Sequence, residues 1–251
     1  MSLQACADLV RAGDPDRFSA AMAAPVATRP VLFPIYAFLL EVARAPWLTE
    51  EPMIAEMRLQ WWRDVLEEIA EGREVRRHEV TTPLAEALDA EGARALDRLV
   101  AARRWDIYRD AFEDGAHFQD YLEATGAVPM WTAARLLGAA PSAEGDIRAL
   151  GRATALARYF AAVPELEARG RIPLVDGRAE AIRQLASEAL AALPADRVLK
   201  RQRAITARAA LIEGWQARPI MLRIAKEPGR VAEGRVALSP FQKRFRLLRW
   251  A

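Results

Sequence analysis

The stretch Val31–Glu68 constrains the fold more than any other part of the sequence. Its first half, Val31–Ala45, is almost wholly apolar. Pro46 ends this run, and a second helix is predicted from Pro52, where the missing N–H of a proline would be unpaired in any case. A helix that is apolar on every side must be surrounded by other helices. The first helix is therefore predicted to lie at the centre of a bundle.

The second helix of this stretch, predicted over Pro52–Gly72, has two stripes at helical spacing. The polar stripe consists of Glu56, Gln60, Arg63 and Glu67. The apolar stripe consists of Ile54, Met57, Trp61 and Val65. The periodicity predicts that the apolar stripe is buried. Trp61 and Trp62 are interpreted as core residues rather than as the wall of a ligand site, because large aromatic side chains on helices are usually buried.

The remaining chain also favours helices. It is 52% hydrophobic and 28% charged, and it has no alternating apolar and polar runs with hairpin turns. We expect one all-α domain over 1–251, with a core at about 10–225. Further helices are predicted at 3–12, 16–25, 84–90, 93–113, 117–138 with a kink at Pro129, 144–162, 179–192, 195–213 and 218–224, and 164–176 is predicted to be irregular.

Several kinds of site are excluded by residue content. The single cysteine, Cys6, rules out a disulfide within the chain and a cysteine-rich zinc site. His78 and His117 lie in different segments, so a histidine-based metal site is not expected. The sequence contains no glycine-rich phosphate loop and no nucleic-acid-binding motif, so we expect no nucleic-acid partner.

Positive charge is concentrated near the C-terminus. Residues 197–251 carry 14 Lys/Arg and 3 acids, whereas the whole chain has a net charge of only +2. The tail 239–251 mixes basic with large apolar side chains, which suits either peripheral contact with a membrane or a short helix that covers the core. The start of the chain has no signal or transit pattern. We expect a cytoplasmic protein without membrane spans, peripheral on the inner membrane.

Four segments carry a resemblance to a known family. They are YAF at 36–38, RLQWWRDVLEEI at 58–69, DYLEATGAVPMWTAARLLG at 120–138 and GRIPL at 170–174. In this order they resemble the squalene/phytoene synthase family, which joins two prenyl diphosphates head to head. The resemblance implies an all-helical prenyl-synthase bundle around a central cavity. It also implies Mg²⁺ held by two aspartate-rich motifs on facing helices.

The residues that match these motifs here are not acids. The first motif falls on Leu40, in place of the family's arginine, and on Ala43, Arg44 and Trp47, in place of acids. The second falls on Ala162 and Leu166, and the family's polar positions one and two turns earlier fall on Ala155 and Arg158. Mg²⁺ requires oxygen ligands, which none of these side chains supplies. The resemblance therefore predicts the scaffold without its metal ligands.

Other acids in the sequence are candidate substitutes for these metal ligands. Glu41 lies one turn from the first motif, while Glu165 and Glu167 are two apart and on a helix point to opposite sides. Asp106, Asp110 and Asp114 are spaced four apart, so on a helix they could share a cation. The alternative is a solvated acidic row paired with arginines, and this interpretation is preferred.

We interpret the chain as a family member without catalytic residues or metal ligands, which works by binding or as an assembly factor. The element Glu41–Ala43 and RLQWWRD resemble the branch that includes the phytoene-synthase-like assembly factor of mitochondrial respiratory complex I. Candidate partners are an isoprenoid or anionic lipid and a membrane protein complex. The alternatives are an active prenyltransferase with relocated Mg²⁺ ligands and an isoprenoid or lipid carrier. The candidate ligand-binding residues are Tyr36, Glu41, Arg44, Tyr121, Arg158 and Arg171.

Overall fold

A computed structural model describes residues 2–200 and 205–250. These residues form fourteen α-helices and no β-strand, so the predicted all-α class is confirmed. In chain order the helices are α1 Leu3–Gly13, α2 Pro15–Ala23, α3 Arg29–Arg44, α4 Pro52–Ala70, α5 Thr81–Ala87, α6 Ala90–Ala102, α7 Gly115–Leu122, α8 Val128–Leu136, α9 Glu144–Ala168, α10 Ala179–Ala192, α11 Asp196–Lys200, α12 Ile205–Leu211, α13 Ala217–Lys226 and α14 Pro240–Trp250.

Helix α3 is the central helix, as predicted from its apolar sequence. It is packed by α1, α2, α5 and α8, and Leu32, Ile35 and Val42 are fully buried. The segment Val26–Trp47 is long and apolar enough to span a membrane, by length and composition alone. Because 61% of its most apolar window is buried inside the protein, the same features are accounted for by its place in the core.

The predicted buried face of α4 is wrong by part of a turn. Ile54 and Met57 are largely exposed. The buried stripe consists of Ala55, Leu59, Trp62 and Leu66, with Val65 at its edge. The ring of Trp62 packs edge-on against Phe38 of α3 at 5.3 Å. Contact with the central helix therefore sets the rotation of α4, and the alternative apolar stripe is left on the surface.

The predicted helix over 93–113 is too long. Helix α6 ends at Ala102, a 3₁₀ turn follows over Arg103–Asp106, and the chain is then irregular up to α7. The rings of Trp105 and Phe112 stack at 4.0 Å, although residues seven apart on a straight helix lie about 10 Å apart. Stacking of these rings requires the chain to turn back, so the aspartates at 106, 110 and 114 do not form a row on one helix.

Helix α9 is longer than predicted, because it continues through Pro164 to Ala168. A proline inside a helix removes one backbone hydrogen bond, but Val163 and Leu166 on either side of it are buried in the core. This packing keeps the last turn helical. The predicted helix over 195–213 is observed as α11, α12 and a 3₁₀ turn over Ile212–Gly214, and its middle, 201–204, lies outside the described residues.

Two hydrophobic clusters form the core. The first surrounds α3 and includes the N-terminal half of α9, while the second joins α7, α10, α13 and the C-terminal half of α9. A π-helical turn over Glu123–Ala127, just before the expected kink at Pro129, brings Gly126 against Gly151 of α9. Helix α9 thus runs through both clusters and is the wall that they share.

Candidate functional site

A cavity of about 400 Å³ lies along α9, lined by residues of both clusters. Its volume falls within the range of about 300–1,000 Å³ that is typical of small-molecule sites. The apolar part of its wall consists of Leu39, Leu40, Ala43, Leu99, Leu122, Met130, Ala155, Ala162 and Leu166. The central cavity expected from the family resemblance is therefore present in the fold.

The positions that match the two metal-binding motifs converge on this cavity. They are Leu40, Ala43 and Trp47 from the α3 side and Ala155, Arg158, Ala162 and Leu166 from α9. Arg44 is the exception and lies outside the cavity. The lining positions on α9 recur every three or four residues because one face of a helix turns inward. Ala162 and Leu166 are hydrocarbon at the two positions where the resemblance implies aspartates, whereas Ala155 and Arg158 match its two other polar positions.

One wall of the cavity holds a cluster of four charged residues, the Arg17 cluster: Asp14, Arg17, Arg158 and Glu213. The Arg17 side chain donates to Glu213 at 2.8 Å and to Asp14 at 3.2 Å. Arg158 donates to Glu213 at 3.4 Å and lies 3.9 Å from Asp14. Burial by itself raises the pKa of Asp14, but Arg158 and Arg17 outweigh it and hold this pKa below its ordinary value. The cluster is electrically neutral.

Tyr36 lies beside the Arg17 cluster, 5.6 Å below the Arg17 guanidinium. Its ring is buried and is not part of the cavity wall. The hydroxyl has no hydrogen-bond partner among the described residues. Burial, with the nearby Glu213 carboxylate, raises the pKa of this hydroxyl well above its ordinary value. Tyr36 therefore stays neutral, and its ring packs against Arg17 without lining the cavity.

A second polar group, the Tyr121 cluster, consists of Arg103, Asp106 and Tyr121. The Tyr121 hydroxyl donates to Asp106 at 3.0 Å, and Arg103 donates to Asp106 at 2.9 Å and to the Tyr121 oxygen at 2.6 Å. Burial raises the pKa of Tyr121 well above its ordinary value. The expectation of a solvated acidic row is thus wrong for Asp106, which is 4% exposed, while Asp110 and Asp114 are on the surface.

The cavity opens near Glu165 and Arg169, whose side chains are 67% and 48% exposed. The guanidinium groups of Arg169 and Arg171 each lie 4.8 Å from the centre of the Trp47 ring. Arg171 is buried and donates to backbone carbonyl oxygens. Arg109 is exposed nearby, and its positive charge acts on Arg171. We call the two exposed arginines, Arg109 and Arg169, the arginine rim. Glu165 pairs with Arg169 at 2.7 Å, so the rim keeps a net positive charge.

The six candidate residues from the sequence divide into two groups. Tyr121 and Arg158 line the cavity, and Tyr36 and Arg171 lie directly behind its wall. Glu41 and Arg44 are 3.9 Å apart and pair with each other outside it. Glu41 faces a separate surface groove instead. Neither residue can therefore touch a ligand in the cavity, which corrects the prediction for both.

Sequence reasoning missed Asp14, Arg17 and Glu213 as cavity residues. Asp14 also caps α2, because its carboxylate accepts from the Arg17 backbone N–H at 2.9 Å. Glu213 is 196 residues from its partner Arg17. One clue was present, because an isolated acid within a basic and apolar region of the sequence indicates a buried ion pair.

The carboxylates around the cavity do not fit a Mg²⁺ site. Asp14 and Glu213 are held by Arg17 and Arg158, Asp106 by Arg103, and Glu165 by Arg169. Among residues 2–200 and 205–250, no three side chains of His, Cys, Asp or Glu are grouped so that they could hold a metal ion. Mg²⁺ needs carboxylate oxygens that are not already committed to a guanidinium. Glu41, Asp110 and Asp114 do not line the cavity.

Comparison with known proteins identifies the family. The squalene/phytoene synthase family model matches residues 10–176. A dehydrosqualene synthase crystallised with a ligand superposes with a TM-score of 0.72 at 15% identity, covering 99% of this chain and 94% of that one. Squalene synthase HpnC from Alicyclobacillus acidocaldarius gives 0.70 at 16% identity, covering 90% and 93%. No curated protein matches. The chain belongs to the squalene/phytoene synthase family.

Proposed function

We propose that this member of the family binds an amphipathic ligand, an isoprenoid or other lipid with an anionic head, and does not convert it. The observation that carries this proposal is the cavity wall, in which Ala162 and Leu166 occupy the positions of the second aspartate motif and every lining carboxylate is paired with an arginine. The two halves of such a ligand fit two different parts of the site.

The apolar chain of the ligand fits the length of α9 that faces the cavity. Lining residues extend from Gly151 to Arg169, which is about 27 Å at 1.5 Å per residue. The leucine, alanine and methionine side chains of the wall lie between these ends, beside the Arg17 and Tyr121 clusters. The apolar part of the wall favours a flexible hydrocarbon through apolar burial.

The anionic head fits the arginine rim. Guanidinium groups bind phosphate oxygens in a fixed, two-pronged geometry. Arg169 is oriented by the Trp47 ring and by Glu165, so little conformational freedom is lost when a phosphate binds. The Arg17 cluster is neutral and is internally bonded, and for this reason the rim is the better anion site.

Binding without conversion follows from the charges. Ionising a prenyl diphosphate requires stabilisation that is stronger in the transition state than in the ground state. The rim provides positive charge to the bound head in either state, and the carboxylates that could recruit a divalent ion are engaged elsewhere. The ligand is therefore held and not activated.

Isothermal titration with a prenyl thiodiphosphate, with and without Mg²⁺, tests this proposal. We expect the same affinity in both conditions, and no release of diphosphate from the natural prenyl diphosphate over hours. Binding that depends on Mg²⁺, or formation of a coupled prenyl product, would support the active prenyltransferase instead and overturn the proposal.

We also propose that the protein assists assembly of a membrane respiratory complex. This role is supported by the resemblance of Glu41–Ala43 and Arg58–Asp64 to the assembly-factor branch. Glu41 and Arg58 border one surface groove with the exposed Met57. The test compares the amount of assembled complex on native gels in cells with the wild-type protein, with Met57→Asp and without the protein. Equal amounts in all three would rule this role out.

A further inference from the structure

The C-terminal helix α14 presents an exposed apolar stripe to solvent. Phe241, Phe245 and Leu248 are 76%, 51% and 79% exposed. Their spacing of four and three residues places them on one face of the helix, and the two phenyl rings stack with centres 6.2 Å apart. Three large apolar side chains together on an exposed helix face indicate an interaction surface.

The opposite face of α14 fixes this orientation. Lys243 pairs with Asp16 of α2 at 2.7 Å, Leu247 packs against the core and Trp250 is buried. At the start of the helix, the Gln242 N–H donates to the Ser239 hydroxyl and the Ser239 N–H to the Gln242 side chain. The helix is therefore docked on the bundle, and its outward stripe does not result from a frayed end.

Positive charge flanks the stripe on both sides. At about 100° per residue, Arg244 lies to one side of the apolar stripe and Arg249 to the other. Both are exposed, and the Arg249 guanidinium also lies 5.7 Å from the centre of the Phe245 ring. Residues 234–251 contain no acid. The surface that complements apolar side chains between basic ones is an anionic lipid bilayer, where rings enter the interface and arginines contact phosphates.

We propose that the outer face of α14 binds reversibly to an anionic membrane surface, with Phe241, Phe245 and Leu248 in the interfacial layer and Arg244 and Arg249 on headgroups. Because Lys243 ties α14 to α2, and α2 begins at the Arg17 cluster, a docked molecule holds this side of the bundle close to the lipid. Membrane docking does not depend on what the cavity binds.

Co-sedimentation of the full chain with vesicles tests this proposal. The vesicles contain phosphatidylcholine alone or phosphatidylcholine with phosphatidylserine. We expect binding to the anionic vesicles that weakens at high salt, and a loss of about tenfold or more in the variant F241S/F245S/L248S. The control is M53S/I54S/M57S on α4, because Met53 and Met57 are exposed to a similar degree, 76% and 66%. It should bind as the wild type does.

Thermal unfolding of both variants verifies that they fold, which is expected because the altered side chains are exposed. Equal vesicle binding by the wild type and the α14 variant would overturn the proposal. Failure of the wild type to bind anionic vesicles would do the same and would leave an acidic protein as the partner of this face. A loss of binding in the α4 control as large as that in the α14 variant would also contradict it, because binding would then not depend on position.

Discussion

Arg17 and Glu213 form an ion pair inside the protein, with Arg17 Nε 2.8 Å from a Glu213 oxygen and side-chain exposures of only 13% and 3%. The pair joins α2 to the turn after α12, 196 residues later. Two charges removed from water in this way stabilise the fold only while both are present. This relationship holds the N-terminal and C-terminal parts of the chain on one side of the cavity.

Replacement of one partner should therefore destabilise the protein strongly. Glu213→Gln leaves Arg17 and Arg158 with Asp14 as the remaining carboxylate of the Arg17 cluster, and we expect a loss of about 3 kcal/mol in the free energy of unfolding, measured with urea at pH 7. The control is Glu227→Gln, which breaks a surface pair with Arg230 and should cost less than about 1 kcal/mol. Equal stabilities of the two variants would contradict the burial of this pair.

Stability should fall in acid partly through Asp14. Its pKa in the folded protein lies below the ordinary 3.8, so the unfolded chain binds this proton more readily. The contribution of Asp14 is thus present above about pH 4 and is lost as the pH falls through the folded pKa. We expect Asp14→Asn to be about 1–2 kcal/mol less stable than the wild type at pH 7. This difference should shrink in urea titrations below pH 3, and a constant difference would exclude the ionised carboxylate as its cause.

The contact between α9 and the π-helical turn should not tolerate a side chain. A Cβ added at Gly151 would lie 2.6 Å from the Ala127 Cα and 2.7 Å from the Gly126 carbonyl oxygen. These are backbone atoms, so Gly151→Ala must separate the two segments, at a cost of about 1–3 kcal/mol. Gly145→Ala is the matched control, since it lies on the same helix with no atom within 4 Å of the added group. It should be neutral or slightly stabilising.

Much of the fold followed from sequence pattern, because long apolar runs specify helices whose partners need not be known. The central helix and the all-α class could be predicted in this way. The rotation of α4 could not be predicted, because Met57 and Leu59 are both apolar and the contact of Trp62 with Phe38 decides which stripe is buried. Likewise, the spacing of Asp106, Asp110 and Asp114 suggested a helix that the stacking of Trp105 on Phe112 prevents.

The sequence predicted the cavity residues that match a family motif. It did not predict the residues whose ion-pair partners lie far away in the sequence. Leu40, Ala162 and Leu166 were located from the family resemblance, and they line the cavity. Arg44 matches a position of the first motif and Glu41 lies one turn from it, but both lie outside the cavity, where they pair with each other. The Arg17–Glu213 pair has no local sequence signal, because its distance is set by the packing of the whole bundle.

Filling the cavity should weaken ligand binding without unfolding the protein. Ala162 lines the cavity, whereas its neighbour Ala161 is exposed and does not line it. We expect Ala162→Phe to weaken binding of an uncharged prenyl alcohol by about tenfold or more, because the ring occupies space that the chain needs. Ala161→Phe adds the same ring outside and should leave affinity unchanged. Titration calorimetry measures both, and equal affinities would show that ligands bind elsewhere.

The arginine rim should matter only for ligands with an anionic head. Arg169→Gln removes one positive charge at the mouth of the cavity, and we expect the affinity for a prenyl thiodiphosphate to fall about fivefold. Its affinity for the matching prenyl alcohol should not change, because the apolar wall is intact. Arg178→Gln is the control, since Arg178 is an exposed arginine paired with Asp176 away from the cavity. An equal loss for both ligands would mean that Arg169 acts through its packing on Trp47 and not through its charge.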